Sequence, residues 1–282
     1  YTGSNINSLP STHTYGTATE LIDGYKAGYS FDGWYLTSDC TGERVTSLGA
    51  TDFLANITLY AKWNDAVCYI EETGAYYATL QEAVNAAVSG QTIRIIAESI
   101  VLSEPVHIGS SWNGTKTVEN IPNAKTLTIT TDVNTTITRS ADFRQETWLS
   151  YNNYTSPMFY IAHKNSKITI VGDKANNKTI TFDGQNQSMF NLIKATNSAT
   201  LNLNENVIFT NDGKGTTATG WGGQSSAVLL RNYATLNLNG AIIQNSTNYG
   251  IWDQNGILYI NSGKITNNGN MGVYITWGSK AY

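Results

Sequence analysis

The residues able to do covalent chemistry are few and scattered. Beyond residue 165 the acids stand alone: Asp173, Asp183, Glu205, Asp212 and Asp253. Glycoside hydrolysis needs two carboxyls about 5–9.5 Å apart. Lyase chemistry needs a carboxylate cluster for calcium together with a basic proton acceptor. The sequence offers no Asp-Asp pair, and no Asp returns at one phase of successive repeats. Asp253 and Arg231 are expected to face each other one repeat apart, and an ion pair explains them more simply than an active site. The run Asn211-Asp212-Gly213-Lys214-Gly215 resembles a cation loop with too few acids. His13, His107 and His163 are scattered, and Cys40 and Cys68 match no metal spacing and are expected to be two unpaired thiols. No catalytic residue, metal site or cofactor is therefore expected.

What remains are aromatic side chains, and a repeat decides where they fall. Ala234-Thr235-Leu236-Asn237-Leu238-Asn239-Gly240-Ala241-Ile242-Ile243-Gln244-Asn245 is answered by Gly256-Ile257-Leu258-Tyr259-Ile260-Asn261-Ser262-Gly263-Lys264-Ile265-Thr266-Asn267, 22 residues later. Ile251 and Val273 repeat the same step, and Leu201 to Asn204 with Phe209 to Asn211 fit the frame after an insertion. A period of this size signals a solenoid. Alternation of apolar pairs within each repeat is strand periodicity. Short strands with no room for a crossover helix predict coils of three strands stacked as parallel sheets. Asn204, Asn239 and Asn261 are expected at one corner and Asn211, Asn245 and Asn267 at another, because Asn tolerates a left-handed backbone and its amide can bond the next coil.

In the first strand of each coil, Phe159, Ile161, Leu192, Val228, Leu230, Ile251, Val273 and Ile275 are taken as inward. Tyr160, Asn191, Leu229, Trp252 and Tyr274 then form an outward column, with Ala162, Ile193, Arg231, Gln254 and Thr276 beside it. Two insertions leave from one edge: 140–157 with Trp148, Tyr151 and Tyr154, and 212–224 with Trp221. Long loops on a solenoid collect on the working face. Two readings stay open. The rings form a platform for a sugar or protein, or they suit strands anyway and the loops cover them.

Ahead of the coils, Thr79-Leu80-Gln81-Glu82 is a capping box. It predicts a helix over about 79–89 with Leu80, Ala83, Val84, Ala87 and Val88 on one stripe, packed over the first coil as a cap. Charged residues make up 13% of the chain and the net charge is −4, so no nucleic-acid partner is indicated. No apolar run approaches the ~20 residues of a membrane span, so no membrane insertion is expected. The chain shows no signal peptide and starts and stops in mid-pattern, which leads us to expect a piece of a longer protein.

Two resemblances add to this reading. Gly28-Tyr29-Ser30-Phe31-Asp32-Gly33-Trp34-Tyr35 with the closing Leu59-Tyr60-Ala61-Lys62-Trp63 resembles the internalin B-repeat, or Listeria–Bacteroides repeat, over residues 1–63. That implies a small β-grasp-like spacer or partner-contacting module on a bacterial surface protein, with Phe31, Trp34, Leu59 and Trp63 as its core. Tyr77 to Ile96 resembles the N-terminal cap of pectate-lyase-like right-handed β-helices, which implies such a β-helix over 64–282. The whole is expected to be all-β: a B-repeat followed by a right-handed parallel β-helix with a capping helix. The expected function is non-catalytic adhesion at the cell surface or cell wall, binding a glycan or host surface protein through Trp148, Tyr151, Tyr154, Tyr160, Trp221, Arg231, Trp252 and Tyr274. The alternatives are a polysaccharide-degrading lyase or hydrolase, and a stiff stalk.

Overall fold

The computed structural model describes residues 10–119, 121–122, 124–146, 156–187, 191–213 and 225–282. The described part is all-β with one short helix. In its first quarter, Tyr29–Tyr35 pairs antiparallel with Tyr60–Asp65, and Thr19–Glu20 with Ser47–Leu48. Phe31 sits edge-on between Trp34 and Trp63, with ring centroids 5.1 and 5.3 Å away. Trp34 is buried and its indole N–H donates to the Ile22 carbonyl at 2.9 Å. Trp34, Tyr35 and Leu48 are the buried apolar residues here, with Phe31, Leu59 and Trp63 half-buried. A bulge falls at Gly33, whose φ of +146° belongs to glycine, and a Cβ there would come within 2.6 Å of the Arg44 side chain.

From Thr92 onward the chain runs in circuits, and each full circuit adds one strand to each of three parallel ladders. The first ladder joins Thr92–Ile95, Thr126–Thr131, Lys167–Ile170, Thr200–Asn204 and the leading halves of Thr235–Gln244 and Ile257–Thr266. The second joins Ser99–Leu102, Thr135–Arg139, Ile180–Asp183, Val207–Thr210 and the trailing halves of the two long strands. The third joins Val106–Ile108, Phe159–Ala162, Asn191–Thr196, Ser226–Arg231, Tyr249–Gln254 and Met271–Thr276.

Pairing in register turns each inward position into a row. Ile93, Ile129, Ile170, Leu203 and Leu238 make one, which Ile260 continues in register as an exposed residue. Ile100, Ile137, Phe182, Phe209, Ile243 and Ile265 make the second. Val106, Phe159, Ile193, Val228, Ile251 and Val273 make the third. Phe182 and Phe209 stack at 4.7 Å, and Phe159 meets Phe182 edge-on at 5.2 Å. These rows form one continuous core, the main stabilising burial of this segment.

The Asn corners divide into two kinds. Asn211, Asn245 and Asn267 adopt the left-handed backbone, with φ of 55°, 56° and 53°. Asn204, Asn239 and Asn261 do not; the positive φ there falls on Gly240 and Gly263. Their amides instead bond along the stack: Asn239 Nδ2 donates to Asn204 Oδ1 at 3.0 Å, and Asn261 Nδ2 to Asn239 Oδ1 at 2.8 Å. A further left-handed corner, Asn197, Asn232 and Asn255, follows the third ladder and was not read from the sequence.

The leading edge of the stack is closed. Cys68–Ile70 pairs antiparallel with Thr92–Ile95. The helix Leu80–Ala86 has the expected capping box, Thr79 Oγ1 accepting from Glu82 N–H and Glu82 accepting from Thr79 N–H. It ends earlier than the sequence implied, because Ala87 is already extended, and Val88 is exposed. Gln81 projects onto the first strand of the third ladder, accepting from His107 N–H at 2.6 Å and donating to its carbonyl at 3.2 Å. A side-chain amide thus stands in for a missing strand. Lys125 Nζ donates to the Val84 and Asn85 carbonyls at the helix end. Both cysteines are free, and burial pushes the Cys68 thiol up to about 12.

Asn239 both gives and takes a bond in its ladder, whereas Asn261 only gives one. Asn239→Ala is expected to cost about 1–3 kcal/mol of unfolding free energy and Asn261→Ala about half as much, read by urea unfolding; equal costs would contradict the ladder.

Candidate functional site

The outer face of the third ladder carries its own row. In register it reads His107, Tyr160, Lys194, Leu229, Trp252 and Tyr274. Lys194 occupies the place assigned from sequence to Asn191, and Ile193 rather than Leu192 shares the inward row with Phe159 and Val228. The physical reason lies in Asn191–Thr196: two adjacent apolar residues leave alternation without a phase, and all six residues are buried.

The row has an apolar half and a polar half. In the apolar half, Leu229, Tyr249 and Trp252 are buried, and Tyr274 packs half-buried against them in a cluster separate from the main core. Tyr249 stacks on Tyr274 at 4.5 Å, and Trp252 lies 5.9 and 6.1 Å from those two rings. The Trp252 indole N–H donates to Thr276 Oγ1 at 3.4 Å. Trp252 is only 6% exposed, so the ring wall is more closed than a bare platform.

Over the polar half lies a hairpin, Ser110–Trp112 paired antiparallel with Thr117–Glu119. Beneath it Tyr160 is fully buried rather than displayed at the surface. Its hydroxyl donates to Glu119 Oε1 and accepts from Lys194 Nζ. Lys194 Nζ lies 3.8 Å from Glu119 Oε1, and Asn197 Nδ2 donates to Glu119 Oε2 at 2.7 Å. Burial lowers the Lys194 ammonium to about 7, with Arg231 adding to the shift and Glu119 opposing it. Burial, then the Glu119 charge, raises the Tyr160 phenol well above its usual range. Burial also lowers Arg231, against the pull of Tyr160 and Glu119.

A second polar node sits alongside. His107 Nε2 is 3.0 Å from Glu146 Oε1, and its Nδ1 is 2.9 Å from Ser110 Oγ. Thr117 Oγ1 donates to Glu146 Oε2 and Arg144 Nη2 to Glu146 Oε1, both at 2.7 Å. Burial alone would raise the Glu146 carboxyl, but hydrogen bonds from His107, Thr117 and Arg144 hold it below the usual range. The group therefore gathers an amine, a phenol, an imidazole and two carboxylates, a proton-transfer repertoire under a cover.

The expected Arg231–Asp253 pair is not formed. Arg231 aligns with Gln254 on the outer face, whereas Asp253 aligns with Leu230 on the inner one. Asp253 is buried, Oδ1 accepting from Gly256 N–H at 2.6 Å, and burial raises its pKa. Of the other expected residues, Trp148, Tyr151, Tyr154 and Trp221 lie outside the described residues. Among the described residues no three His, Cys, Asp or Glu gather as a metal would need, and no helix is long and apolar enough to cross a membrane. Sequence reading missed Lys194, Glu119, His107 and Glu146; the available signal was a lone charge or imidazole inside apolar strands, Leu192-Ile193-Lys194-Ala195 and Val106-His107-Ile108.

Comparison with known proteins bears on the first segment alone: residues 2–62 match the family model of the Listeria–Bacteroides repeat domain. No curated protein and no solved structure gives a match.

A lysine whose folded pKa lies below its unfolded value leaves the unfolded chain with more bound protons between the two, so stability rises with pH across that window. From about 7 towards 10.5, stability is expected to rise by a few kcal/mol. Lys194→Met should flatten the rise in urea unfolding across that range; an unchanged slope would contradict a buried, weakly basic amine.

Proposed function

We propose that this chain is part of a bacterial cell-surface protein that binds a glycan or a host surface protein without catalysis. In this reading residues 1–63 are a β-grasp-like B-repeat spacer and 64–282 a right-handed parallel β-helix of the pectate-lyase-like kind, capped by the helix Leu80–Ala86. The match of residues 2–62 to a repeat named for Listeria and Bacteroides supports the bacterial surface setting. Three parallel ladders fed in turn by each circuit support the β-helix.

The observation that carries the function is the ring cluster of Tyr249, Trp252 and Tyr274 on the outer face of the third ladder, outside the main core. Rings held against one another lose little entropy on binding and offer apolar faces to sugar C–H groups.

A second reading, a polysaccharide-degrading enzyme, is favoured by one observation: Lys194, Tyr160 and Arg231 share the same outer face, and Glu119 of the covering hairpin meets Tyr160 and Lys194 there. Lys194 with a pKa near 7 has the basicity a proton acceptor needs. The cover over these groups argues against it.

Binding to a glycan array or immobilised mucin is expected; Tyr274→Ala, at a half-buried ring, should weaken it at least tenfold, and Trp252→Ala, at a buried ring, should weaken it and also lower the urea midpoint. Retained binding in both variants would move the site elsewhere. Release of unsaturated products from acidic polysaccharides would replace this reading with the enzymatic one.

A further inference from the structure

Lys194 is a costly residue for this fold to keep. Its side chain is fully buried, and burial lowers the ammonium to about 7, so a large share of it is a neutral amine near neutral pH. A neutral amine is a nucleophile, and its neighbours decide what it can attack. Glu119 ties it to a carboxamide: Lys194 Nζ stands 3.8 Å from Glu119 Oε1, and Asn197 Nδ2 donates to Glu119 Oε2 at 2.7 Å. Both side chains leave one stretch of chain, Lys194 from the strand Asn191–Thr196 and Asn197 from the left-handed corner after it, with φ of 54°. The corner turns the Asn197 side chain back onto the carboxylate that Lys194 already faces.

The carbonyl end of the same carboxamide is engaged as well. Asn197 Oδ1 accepts from Asn232 Nδ2 at 3.2 Å and from Thr196 Oγ1 at 3.4 Å. The Tyr160 hydroxyl accepts from Lys194 Nζ and donates to Glu119 Oε1, which holds amine and carboxylate together. These are the parts of an acyl transfer: a buried amine as nucleophile, an amide as acyl donor, a carboxylate on the leaving nitrogen, and two donors where negative charge develops. The neighbouring circuits lack the set. Asn232 and Asn255 hold the same corner one and two circuits along, but Leu229 and Trp252 stand where Lys194 does.

We propose that Lys194 and Asn197 join through an amide bond between Nζ and Cγ, with Glu119 carrying the proton and ammonia leaving. The neutral amine attacks Cγ, and the carbonyl electron pair moves onto Oδ1, where Asn232 and Thr196 stabilise the charge. Glu119 takes one proton from Nζ and passes it to Nδ2. The Cγ–Nδ2 bond then breaks, its electron pair leaves with nitrogen as NH3, and the carbonyl re-forms. One C–N bond replaces another, nothing is oxidised or reduced, and the carboxylate ends as it began. Glu119 is not the acyl donor, because a carboxylate resists attack and both its oxygens already serve as acceptors. The product exchanges a buried amine for a neutral amide, which costs less to keep from water. The titration of Lys194 belongs to the chain before closure and ends with it. The bond is independent of what the ring cluster binds.

The test is intact-mass spectrometry of the full chain, fresh and after prolonged incubation at mildly alkaline pH. The parent is expected to become lighter by one ammonia, and trypsin to leave the Lys194–Ala195 bond uncut in the lighter form. Lys194→Arg, Asn197→Ala and Glu119→Gln are each expected to keep the full mass. A parent that keeps its full mass overturns the proposal, whether or not the variants fold. A loss of ammonia that persists in Lys194→Arg is a succinimide at an asparagine and overturns it too. Loss of water in place of ammonia would make Glu119 the acyl donor and overturn the Asn197 bond. Closure at the parent's rate in Glu119→Gln would overturn the proton transfer assigned to Glu119.

Discussion

Strand pairing in constant register from one circuit to the next is the constraint on which the rest of this molecule depends. Once Ile137 faces Phe182 and Phe182 faces Phe209, each inward side chain is covered above and below by its counterpart in the neighbouring circuits. No single circuit could bury its apolar face alone, so stability accumulates along the stack. The same register forces the outward residues into rows, and departures in length must leave at the corners. It also creates raw edges, which explains why Gln81 imitates a strand against His107 and why Cys68–Ile70 turns antiparallel to close the first ladder.

The outer row of the third ladder shows how little the backbone dictates chemistry. One uninterrupted run of positions passes from His107 through Lys194 to Tyr274, yet its two halves are kept from water by different means. Rings shield one another in the apolar half. The polar half is shielded by a hairpin, and charges there are tolerated because each meets donors or acceptors: Glu146 with His107, Thr117 and Arg144, and Glu119 with Tyr160 and Asn197. A buried charge left without such partners would be strongly destabilising.

Much of the fold was legible because periodicity survives translation into structure. The 22-residue return of Leu236 and Leu258 or Ile243 and Ile265 became a rung of each ladder, and the Asn columns became corners or amide chains. The capping box at Thr79 was equally direct, since all its atoms lie within one turn. The site was less legible, for local and global reasons. Asn191–Thr196 carries adjacent apolar residues, so the phase slipped by one and Lys194 was missed. Arg231 and Asp253 sit near each other in phase, but strand alternation sends them to opposite faces. Glu119 reaches Lys194 through a hairpin that breaks the repeat, and nothing in the period announces it. Tyr160 was correctly placed on the outer face, yet its cover depends on that same hairpin.

Spin-label distances along the first ladder test the central claim most directly. Thr128, Thr169, Asn202, Asn237 and Tyr259 occupy one outward row. Labels paired between Tyr259 and each of the others, on a background free of Cys40 and Cys68, should give separations that grow by about 4.8 Å per rung, reaching roughly 19 Å to Thr128. Separations that fail to grow in that order would contradict the stacked register, and the outer row of the third ladder would fall with it.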